Sequence, residues 1–472
     1  MVFSSLFFLL LFFPVTLAVY YLLPKRQRNL WLATASIAFY ALGEPKLVLL
    51  FLAEILWNWA AALALAQIRS GPGKKMLLIL CLMGDLGVLV LFKYSRFFLQ
   101  CINNVAGTAL TLPAFTLPIG ISFYTFQAIS YVVDVFKGEE PRKNPIDIAL
   151  YLSFFPQLIA GPIVRYRSFA PQLSGRQADW ENVSKGFIRF CTGLCKKVLL
   201  ANQLGILADH VFDSSIPETL CAPMLWLGAL SYSLQLFFDF SGYSDMAVGL
   251  GAMFGFCLPE NFNNPYLART ARDFWTRWHI TLSAWFREYV YIPLGGSQSG
   301  RRKTVQNLLI VWTMTGLWHG ANWTFLLWGL CWGLILIFER FCIHPDTRGF
   351  WAQIFYRMFI GVATVLLWTV FRSQTVFSAL TMLRQLFSIS AWNLTMSQLP
   401  ILRMWWHEIW LYFLAAFLIA LRIPRRMYTI LPQETEPLWL EGLKIAGLTG
   451  CTILAFSFLV NGSYNPFLYF QF

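Results

Sequence analysis

Charged residues are scarce in this chain of 472 residues. Asp, Glu, Lys and Arg make up 12% of it, whereas soluble domains have about 25%. Hydrophobic residues make up 57% and aromatic residues 17%, and apolar stretches leave no room for a large soluble domain. At about 20 residues per span, roughly ten to twelve membrane-embedded helices fit, some of them short or re-entrant. We therefore predict one all-α, polytopic membrane domain over residues 1–472.

Acidic residues are scarcer than basic ones, 23 against 36, which gives a net charge of +13. In a soluble protein this excess of positive charge would indicate binding to nucleic acid. Here the basic residues cluster between apolar segments, around residues 25–28, 69–75, 137–143, 301–303 and 422–426. Such clusters follow the positive-inside rule and attract anionic lipid headgroups. We therefore predict membrane lipids as partners and no nucleic acid.

Several marks of other protein classes are missing. Nine scattered cysteines, with no second Cys/His pair to complement Cys191 and Cys195, predict neither a disulfide framework nor a metal site. No charge precedes the apolar run of residues 1–23, so we interpret it as a retained membrane helix rather than a signal peptide. No internal repeat supports an inverted-repeat transporter.

The segment 259–303 is too polar to span lipid as an isolated helix. It interleaves basic residues with Trp and Tyr, including Arg269, Arg272, Arg277, Arg287, Trp275, Trp278 and Trp285. Such a mixture is typical of interfacial helices with aromatic rings at headgroup level. Irregular backbone is tolerated at membrane depth where it lines a cavity. We predict a polar cavity that opens to the cytoplasm.

His319 lies in the apolar run of residues 313–330, with no formal charge between Thr304 and Phe338. An ionisable side chain at membrane depth is costly and indicates a functional site by default. The alternative is a histidine that packs between helices, with Gly316 and Gly320 allowing close approach.

His279 is a second candidate, 40 residues earlier, on a segment rich in aromatic residues. Its alternative role is that of an interfacial histidine. If the two segments meet, one histidine can act as general base on a hydroxyl while the other orients a substrate. No GxSxG, HExxH, GxGxxG or GxxxxGK[ST] pattern marks another chemistry. Acyl transfer to a hydroxyl fits this pattern, and a transporter that uses the histidines as proton relays stays open.

Longer motifs resemble one family throughout the chain. They are LPIGISFYTFQAISYVVDVFKG at 117–138, FPQLIAGPIVRY at 155–166, FFDFSGYSDMAVGLG at 237–251, ENFNNPY at 260–266, FWTRWHITLSAWFREYVYIPLGG at 274–296 and LWHGANW at 317–323. The chain resembles the membrane-bound O-acyltransferases, in particular the bacterial branch that acetylates exported polysaccharides such as alginate and peptidoglycan.

The resemblance implies a ring of helices around a central funnel, in the bacterial inner membrane. It implies His319 as the catalytic base and His279 as the second catalytic histidine. It also implies acetyl-CoA as the donor substrate, no bound cofactor, and a periplasmic SGNH-type subunit that passes the acetyl group to the polysaccharide. A relative of the same family with a longer acyl donor for lipid or protein is the alternative.

Further residues are expected to bind substrate within the resembling motifs. They are Arg277, Trp278, Asp245 and Asn322. For Asp245, as for Asp239, helix packing is the alternative role. Near the C-terminus, Tyr469 lies among Phe467, Phe470 and Phe472. A partner peptide in related D-alanylation systems ends in a similar aromatic string, which suggests Tyr469 as an acyl relay, with an interfacial anchor as the alternative.

Overall fold

The computed structural model describes residues 2–111, 115–177, 179–213, 220–343, 349–422, 438–462, 464–466 and 468. These ranges are mainly helical and contain no strand, which confirms the all-α prediction. The chain divides into two compact units: unit 1 is Met1–Phe190 with Ser244–Glu260, and unit 2 is Cys191–Tyr243 with Asn261–Phe472. One domain over residues 1–472 stays a prediction.

Unit 1 is built from long helices and a few single turns. Its helices are α1 (Phe8–Leu22), α2 (Arg28–Gly43), α3 (Val48–Gln67), α4 (Pro72–Ala106), α5 (Ile121–Phe136), α6 (Pro145–Ser153) and the start of α7 (Trp180–Cys195), with turns at Phe155–Leu158, Tyr166–Phe169 and Gln172–Gly175. Helix α5 is buried along nearly its whole length and packs against α3 and α4. Phe8, Phe39 and Phe155 form an aromatic core, with ring centroids 5.6 to 6.1 Å apart.

Unit 2 contains the remaining helices. They are Lys196–Ala201 continued by α8 (Asn202–Phe212), α9 (Ala222–Met253, which enters unit 1 at Ser244), α10 (Ala271–Arg277), α11 (Ile280–Phe286), α12 (Gly300–His319), α13 (Trp323–Ile343), α14 (Phe350–Arg372), α15 (Val376–Phe387), α16 (Gln398–Ala420) and α17 (Leu438–Val460). A turn at Arg287–Tyr291 follows α11. One hydrophobic core, rich in Trp and Phe, contains side chains from α8, α9, α10 and α12 to α16.

Five helices of the described chain are long and apolar enough to cross a membrane: α3, α4, α13, α14 and Glu441–Val460 of α17. All five coincide with apolar runs of the sequence. The apolar segment 30–42 lies within the 16-residue α2, and α4 continues to Ala106. The chain is a multi-pass membrane protein, and all nine of its cysteines are free thiols.

Two helix ends in unit 2 position the histidines. The Asn322 side chain accepts a hydrogen bond from the Thr324 amide and starts α13, directly after α12 ends at His319. The Thr270 side chain accepts from the Asp273 amide and starts α10, which ends one residue before Trp278. Side-chain caps of this type fix where a helix begins. Both histidines therefore lie at helix ends, where the chain turns.

Candidate active site

His319 lies at the tip of a tightly packed helical hairpin. Helices α12 and α13 approach closely because Gly316 and Gly329 carry no side chain. A Cβ on Gly316 would lie 2.4 Å from the backbone oxygen of Phe325. Directly after His319, a Cβ on Gly320 would lie 2.2 Å from the Phe325 ring. These contacts leave the backbone around His319 little freedom to move.

Aromatic rings surround the His319 imidazole. The side chains of Trp318, Trp328 and Phe371 have ring centroids 5.0, 5.1 and 5.1 Å from it, all nearly perpendicular to it. Edge-to-face contacts of this kind fix ring orientation. His319 is 6% exposed, so a reactant has only a narrow access to it.

His279 is fully buried and joins α10 to α11 in the left-handed conformation, at φ 43°. Its Nδ1 lies 3.1 Å from the side-chain oxygen of Asn261, which also accepts from the Thr281 amide at 3.3 Å and hydroxyl at 2.9 Å. An amide oxygen only accepts hydrogen bonds. Nδ1 of His279 therefore carries a proton, and its Nε2 is the basic nitrogen of the neutral ring.

The surroundings of His279 keep it uncharged. Burial lowers its pKa to about 3, because the positive imidazolium would lose its hydration. The Phe240 ring lies 4.7 Å from the imidazole, nearly perpendicular to it. At neutral pH His279 is an oriented, neutral imidazole.

The two histidine segments meet at Trp318. Its ring centroid lies 5.9 Å from that of His279 and 5.0 Å from that of His319. Trp318 is 4% exposed and is held between them. The two histidines thus pack against the same indole ring, although 40 residues separate them along the chain.

A cavity of about 940 Å³ lies in unit 2 among α10, α11, the turn that follows α11, α12 and the end of α13. Three exposed arginines line it, Arg272, Arg287 and Arg340. Trp275 and Trp312 line its apolar wall. Its size falls within the range of about 300–1,000 Å³ that small-molecule sites occupy. The segment 259–303 contributes Arg272, Arg287 and Trp275 to this lining, whereas Arg340 and Trp312 lie outside that segment. That the cavity opens to the cytoplasm stays a prediction.

The cavity comes within one layer of side chains of His319. Thr315 lines it and lies one helical turn before His319, on the same face of α12. Trp275 also lines it, and its ring lies 5.6 Å from that of Trp328, which contacts His319. The described residues that line the cavity include neither histidine. The Trp328 ring therefore lies between Trp275, at the cavity wall, and His319.

Glu339 fixes one wall of the cavity. Its buried carboxylate accepts hydrogen bonds from the backbone amides of Ala271 and Arg272 at 2.6 and 3.0 Å, and from the Tyr356 hydroxyl at 2.7 Å. An acidic side chain at a helix N-terminus is stabilising. This contact ties α10, with its arginine, to the end of α13.

Two of the predicted substrate-binding residues, Arg277 and Trp278, lie at the end of α10. Arg277 forms an ion pair with Asp273 at 2.6 Å and donates to the Asn263 carbonyl, and it is absent from the residues that line the cavity. Trp278 is 3% exposed and stacks between Phe274 and other rings of the core. Their role in substrate binding stays a prediction.

Asn322 and Asp245 have structural contacts of their own. Asn322 caps α13 and donates to the Gln374 carbonyl at 2.8 Å. Asp245 belongs to unit 1, where it forms an ion pair with Arg189 at 3.0 Å. Substrate binding by either residue also stays a prediction.

Tyr469 lies outside the described residues, but Pro466 and Leu468 before it have hydrogen bonds within unit 2. Lys197 and Asp239 form a buried ion pair at 2.6 Å, and Lys197 also donates to the Pro466 carbonyl. Asp239 accepts from the Leu468 amide at 3.0 Å. Asp239 precedes Phe240, whose ring packs on His279. Residue 468 is thus bound beside the residue that contacts the second histidine.

Sequence reasoning missed Asn261, Glu339 and the bridging position of Trp318. Asn261 belongs to the quoted motif ENFNNPY and Trp318 to LWHGANW, so the motifs contained both residues without indicating their contacts. Glu339 carried no signal beyond being an acidic residue at the end of an apolar run. The described residues contain no group of three or more His, Cys, Asp or Glu side chains that could hold a metal ion.

Comparisons with known proteins agree with this architecture. The sequence model of the membrane-bound O-acyltransferase family matches residues 138–383. The probable alginate O-acetylase of Pseudomonas putida is 38% identical over all of both chains. That of Pseudomonas aeruginosa is 42% identical over 84% of this chain and 76% of its own. The peptidoglycan O-acetyltransferase of Helicobacter pylori is 37% identical over 84% of this chain and 81% of its own. The chain therefore belongs to the membrane-bound O-acyltransferase family and is an O-acyltransferase.

Proposed function

We propose that this protein transfers acetyl groups from cytoplasmic acetyl-CoA across the inner membrane for the O-acetylation of an exported polysaccharide. The observation that carries the proposal is the placement of His279 and His319 on one indole ring, one side-chain layer from an arginine-lined cavity. The relatives named above include a probable alginate O-acetylase and a peptidoglycan O-acetyltransferase, which supports an acetyl group and a polysaccharide acceptor.

The cavity suits the donor because coenzyme A is anionic and carries an aromatic base. Guanidinium groups bind phosphate oxygens through paired, charge-assisted hydrogen bonds. Arg272, Arg287 and Arg340 present three such groups around one opening. The aromatic wall formed by Trp275 and Trp312 offers an apolar surface to the rest of the molecule. The thioester then points toward Thr315 and His319.

His319 acts as the general base in this proposal. Its imidazole takes the proton of an acceptor hydroxyl, the hydroxyl oxygen attacks the thioester carbonyl, and the carbon–sulfur bond breaks. The proton returns to the departing thiolate, so the imidazole ends neutral. His279 packs against Trp318 in this proposal, and its hydrogen bond with Asn261 fixes the orientation of its ring.

The first acceptor of the acetyl group is open to a direct test. Tyr469 directly follows Leu468, which Asp239 holds beside Phe240. This tether supports Tyr469 as a relay whose phenol receives the acetyl group and passes it to a periplasmic SGNH-type subunit. Tyr469→Phe removes the hydroxyl alone. Undiminished transfer to the outer acceptor by that variant would exclude the relay.

The experiment uses purified protein in liposomes that enclose labelled acetyl-CoA, with the partner subunit and polysaccharide outside. His319→Ala is expected to abolish thioester cleavage and acetyl transfer. His407→Ala is the matched control, because His407 is exposed on α16. Cleavage by the wild type that persists in His319→Ala would refute the base assignment. Failure of the wild type with acetyl-CoA, followed by activity with a longer acyl-CoA, would refute the donor.

A further inference from the structure

A second polar cluster lies in unit 1, on the membrane helices α3 and α4. Glu54 and Asn58 are one turn apart on α3, and Asp85 faces them from α4. Their exposed fractions are 8%, 0% and 2%, so all three are more than nine-tenths buried. Asn58 Nδ2 donates to Asp85 Oδ1 at 2.9 Å and to the Glu54 backbone oxygen at 3.0 Å. Asn58 thus links the Asp85 side chain to the backbone of α3, and the Glu54 side chain lies one turn before Asn58 on the same face of α3.

The helices are held close at this cluster. Gly84 precedes Asp85, and a Cβ there would lie 3.2 Å from the Trp57 indole nitrogen. Trp57 itself precedes Asn58. The missing side chain at residue 84 lets α4 approach α3 where the polar groups meet, so the pairing of Asp85 with Asn58 is built into the helix crossing.

Both carboxyl groups lie well inside their membrane helices. Glu54 is about 9 Å along α3 from its start, and Asp85 about 20 Å along α4, at about 1.5 Å per residue. Glu54 shares a face of α3 with Asn58, whose side chain donates to Asp85, so the two carboxyl groups lie on the same side of α3. Two carboxylates cannot both be charged in such a place without compensation, because burial and mutual repulsion both oppose it.

Three oxygen atoms of the cluster can accept hydrogen bonds, but none of them has a hydrogen-bond partner among the described residues. They are Glu54 Oε1, Asn58 Oδ1 and Asp85 Oδ2. Oxygen atoms of carboxylates and amides are the ligands that hard cations prefer. A proton on one carboxyl group would also supply a donor to a neighbouring oxygen. The cluster therefore requires positive charge at these oxygens.

Other titratable groups around the cluster do not supply that charge. Those on the packed elements are Tyr40 and Glu44 at the end of α2, Cys81 one turn before Asp85, Tyr124 on α5, and Lys93 further along α4. The hydroxyls and the thiol are neutral, and Glu44 is acidic. Lys93 is two turns beyond Asp85 and donates to the Ser122 hydroxyl at 3.0 Å.

We propose that Glu54, Asn58 and Asp85 form a binding site for one small monovalent cation, a proton or an alkali-metal ion such as Na⁺, inside unit 1. Its ligands are the two carboxyl groups and the Asn58 amide oxygen. The site is separate from the histidines and does not depend on the acetyl donor or acceptor. It couples the folded state of α3 and α4 to the cation concentration.

Thermal unfolding of the full-length chain in detergent tests the site. The unfolding midpoint is measured from about pH 5 to about pH 9 in NaCl or in choline chloride of equal ionic strength. A bound proton predicts a midpoint that falls as pH rises in both salts, because the folded state then holds more protons than the unfolded state. A bound Na⁺ predicts that NaCl, but not choline chloride, restores the midpoint at high pH.

The double variant Glu54→Gln with Asp85→Asn keeps the shape of the site and removes its charge. It is expected to lose the proton or Na⁺ dependence that the wild type shows. Glu139→Gln, at an exposed position of unit 1, is the matched control and should retain it. A double variant with the wild-type dependence on both pH and Na⁺, or a wild type with neither, would overturn the proposal.

If the double variant fails to fold, an independent measurement on the single variants tests the site. Each single variant is then compared with wild type by infrared difference spectroscopy on changing pH or replacing choline with Na⁺. A protonated pair gives a carbonyl band of a neutral carboxyl group, and a Na⁺-bound pair gives a shift of the carboxylate bands. Bands unchanged by either single variant would show that the signal arises elsewhere and would overturn the proposal.

Discussion

Replacing Asn261 by Ala should weaken both the stability and the activity of the protein through His279. The Asn261 side-chain oxygen accepts three hydrogen bonds, from His279 Nδ1 and from the amide and hydroxyl of Thr281. Each such bond contributes about 1 kcal/mol net, so the loss is about 3 kcal/mol in the free energy of unfolding. Chemical denaturation in detergent measures this change.

The effect on activity follows from the position of the imidazole. Without its acceptor at Nδ1, His279 can rotate or change tautomer against Trp318, and a misplacement of about 1 Å at a reacting group costs about 10²-fold in rate. Acetyl transfer by Asn261→Ala should therefore fall about 10²-fold. The assay is cleavage of labelled acetyl-CoA by the protein in liposomes.

Thr281→Val separates orientation from general destabilisation. It removes one donor to the same oxygen and leaves the His279 bond in place. It should lower the free energy of unfolding by about 1 kcal/mol and leave the rate of acetyl transfer near that of wild type. Equal loss of activity in Thr281→Val and Asn261→Ala, or full activity in Asn261→Ala despite its lower stability, would refute the orienting role of Asn261.

Three further predictions concern the cavity, the hairpin and pH. Arg272→Ala should raise KM for acetyl-CoA about tenfold with little change in kcat in steady-state kinetics, since one charge-assisted bond is lost. Arg357→Ala, at an exposed position of α14 outside the cavity lining, should leave KM unchanged. Gly320→Ala should lower the free energy of unfolding by about 1–3 kcal/mol in chemical denaturation, because its Cβ would meet a ring at 2.2 Å; wild-type stability would contradict the packing. The depressed pKa of His279, about 3, means that its contribution to stability is present above about pH 6.5 and is lost as pH falls through the window toward 3. In His279→Gln the free energy of unfolding should depend less on pH between about 6.5 and 3. The same pH dependence as in wild type would contradict this prediction.

The sequence alone determined the class of protein and much of its helical framework. Long apolar runs predict membrane helices because the bilayer requires about 20 apolar residues per span, a requirement that each segment meets by itself. The five spans found in the described chain coincide with such runs. His319 could also be singled out locally, since an ionisable residue in an apolar run stands out without any knowledge of its neighbours.

The boundaries of some elements depended on their surroundings. The segment 30–42 has the composition of a span, but the helix Arg28–Gly43 buries one face, including Leu32, Phe39 and Tyr40, against the rest of unit 1. Helix α4 continues past its apolar part to Ala106, because residues 95–106 form an amphipathic helix with apolar residues on one face and polar residues on the other. Hydropathy measures the average of a window and does not resolve such ends.

Only the tertiary structure decided which side chains share a site. Trp318 contacts both histidines, Asn261 orients His279 from 18 residues away, and Glu339 reaches Ala271 across 68 residues of chain. Sequence periodicity specifies the helix face on which a residue lies, but it does not specify which residue of another helix lies opposite. That partner is set by the way the helices cross, and glycines such as Gly316 allow the helices to approach closely. For the same reason Asn58 and Asp85 are two isolated polar residues in the sequence, and the packing of α3 on α4 joins them through a hydrogen bond.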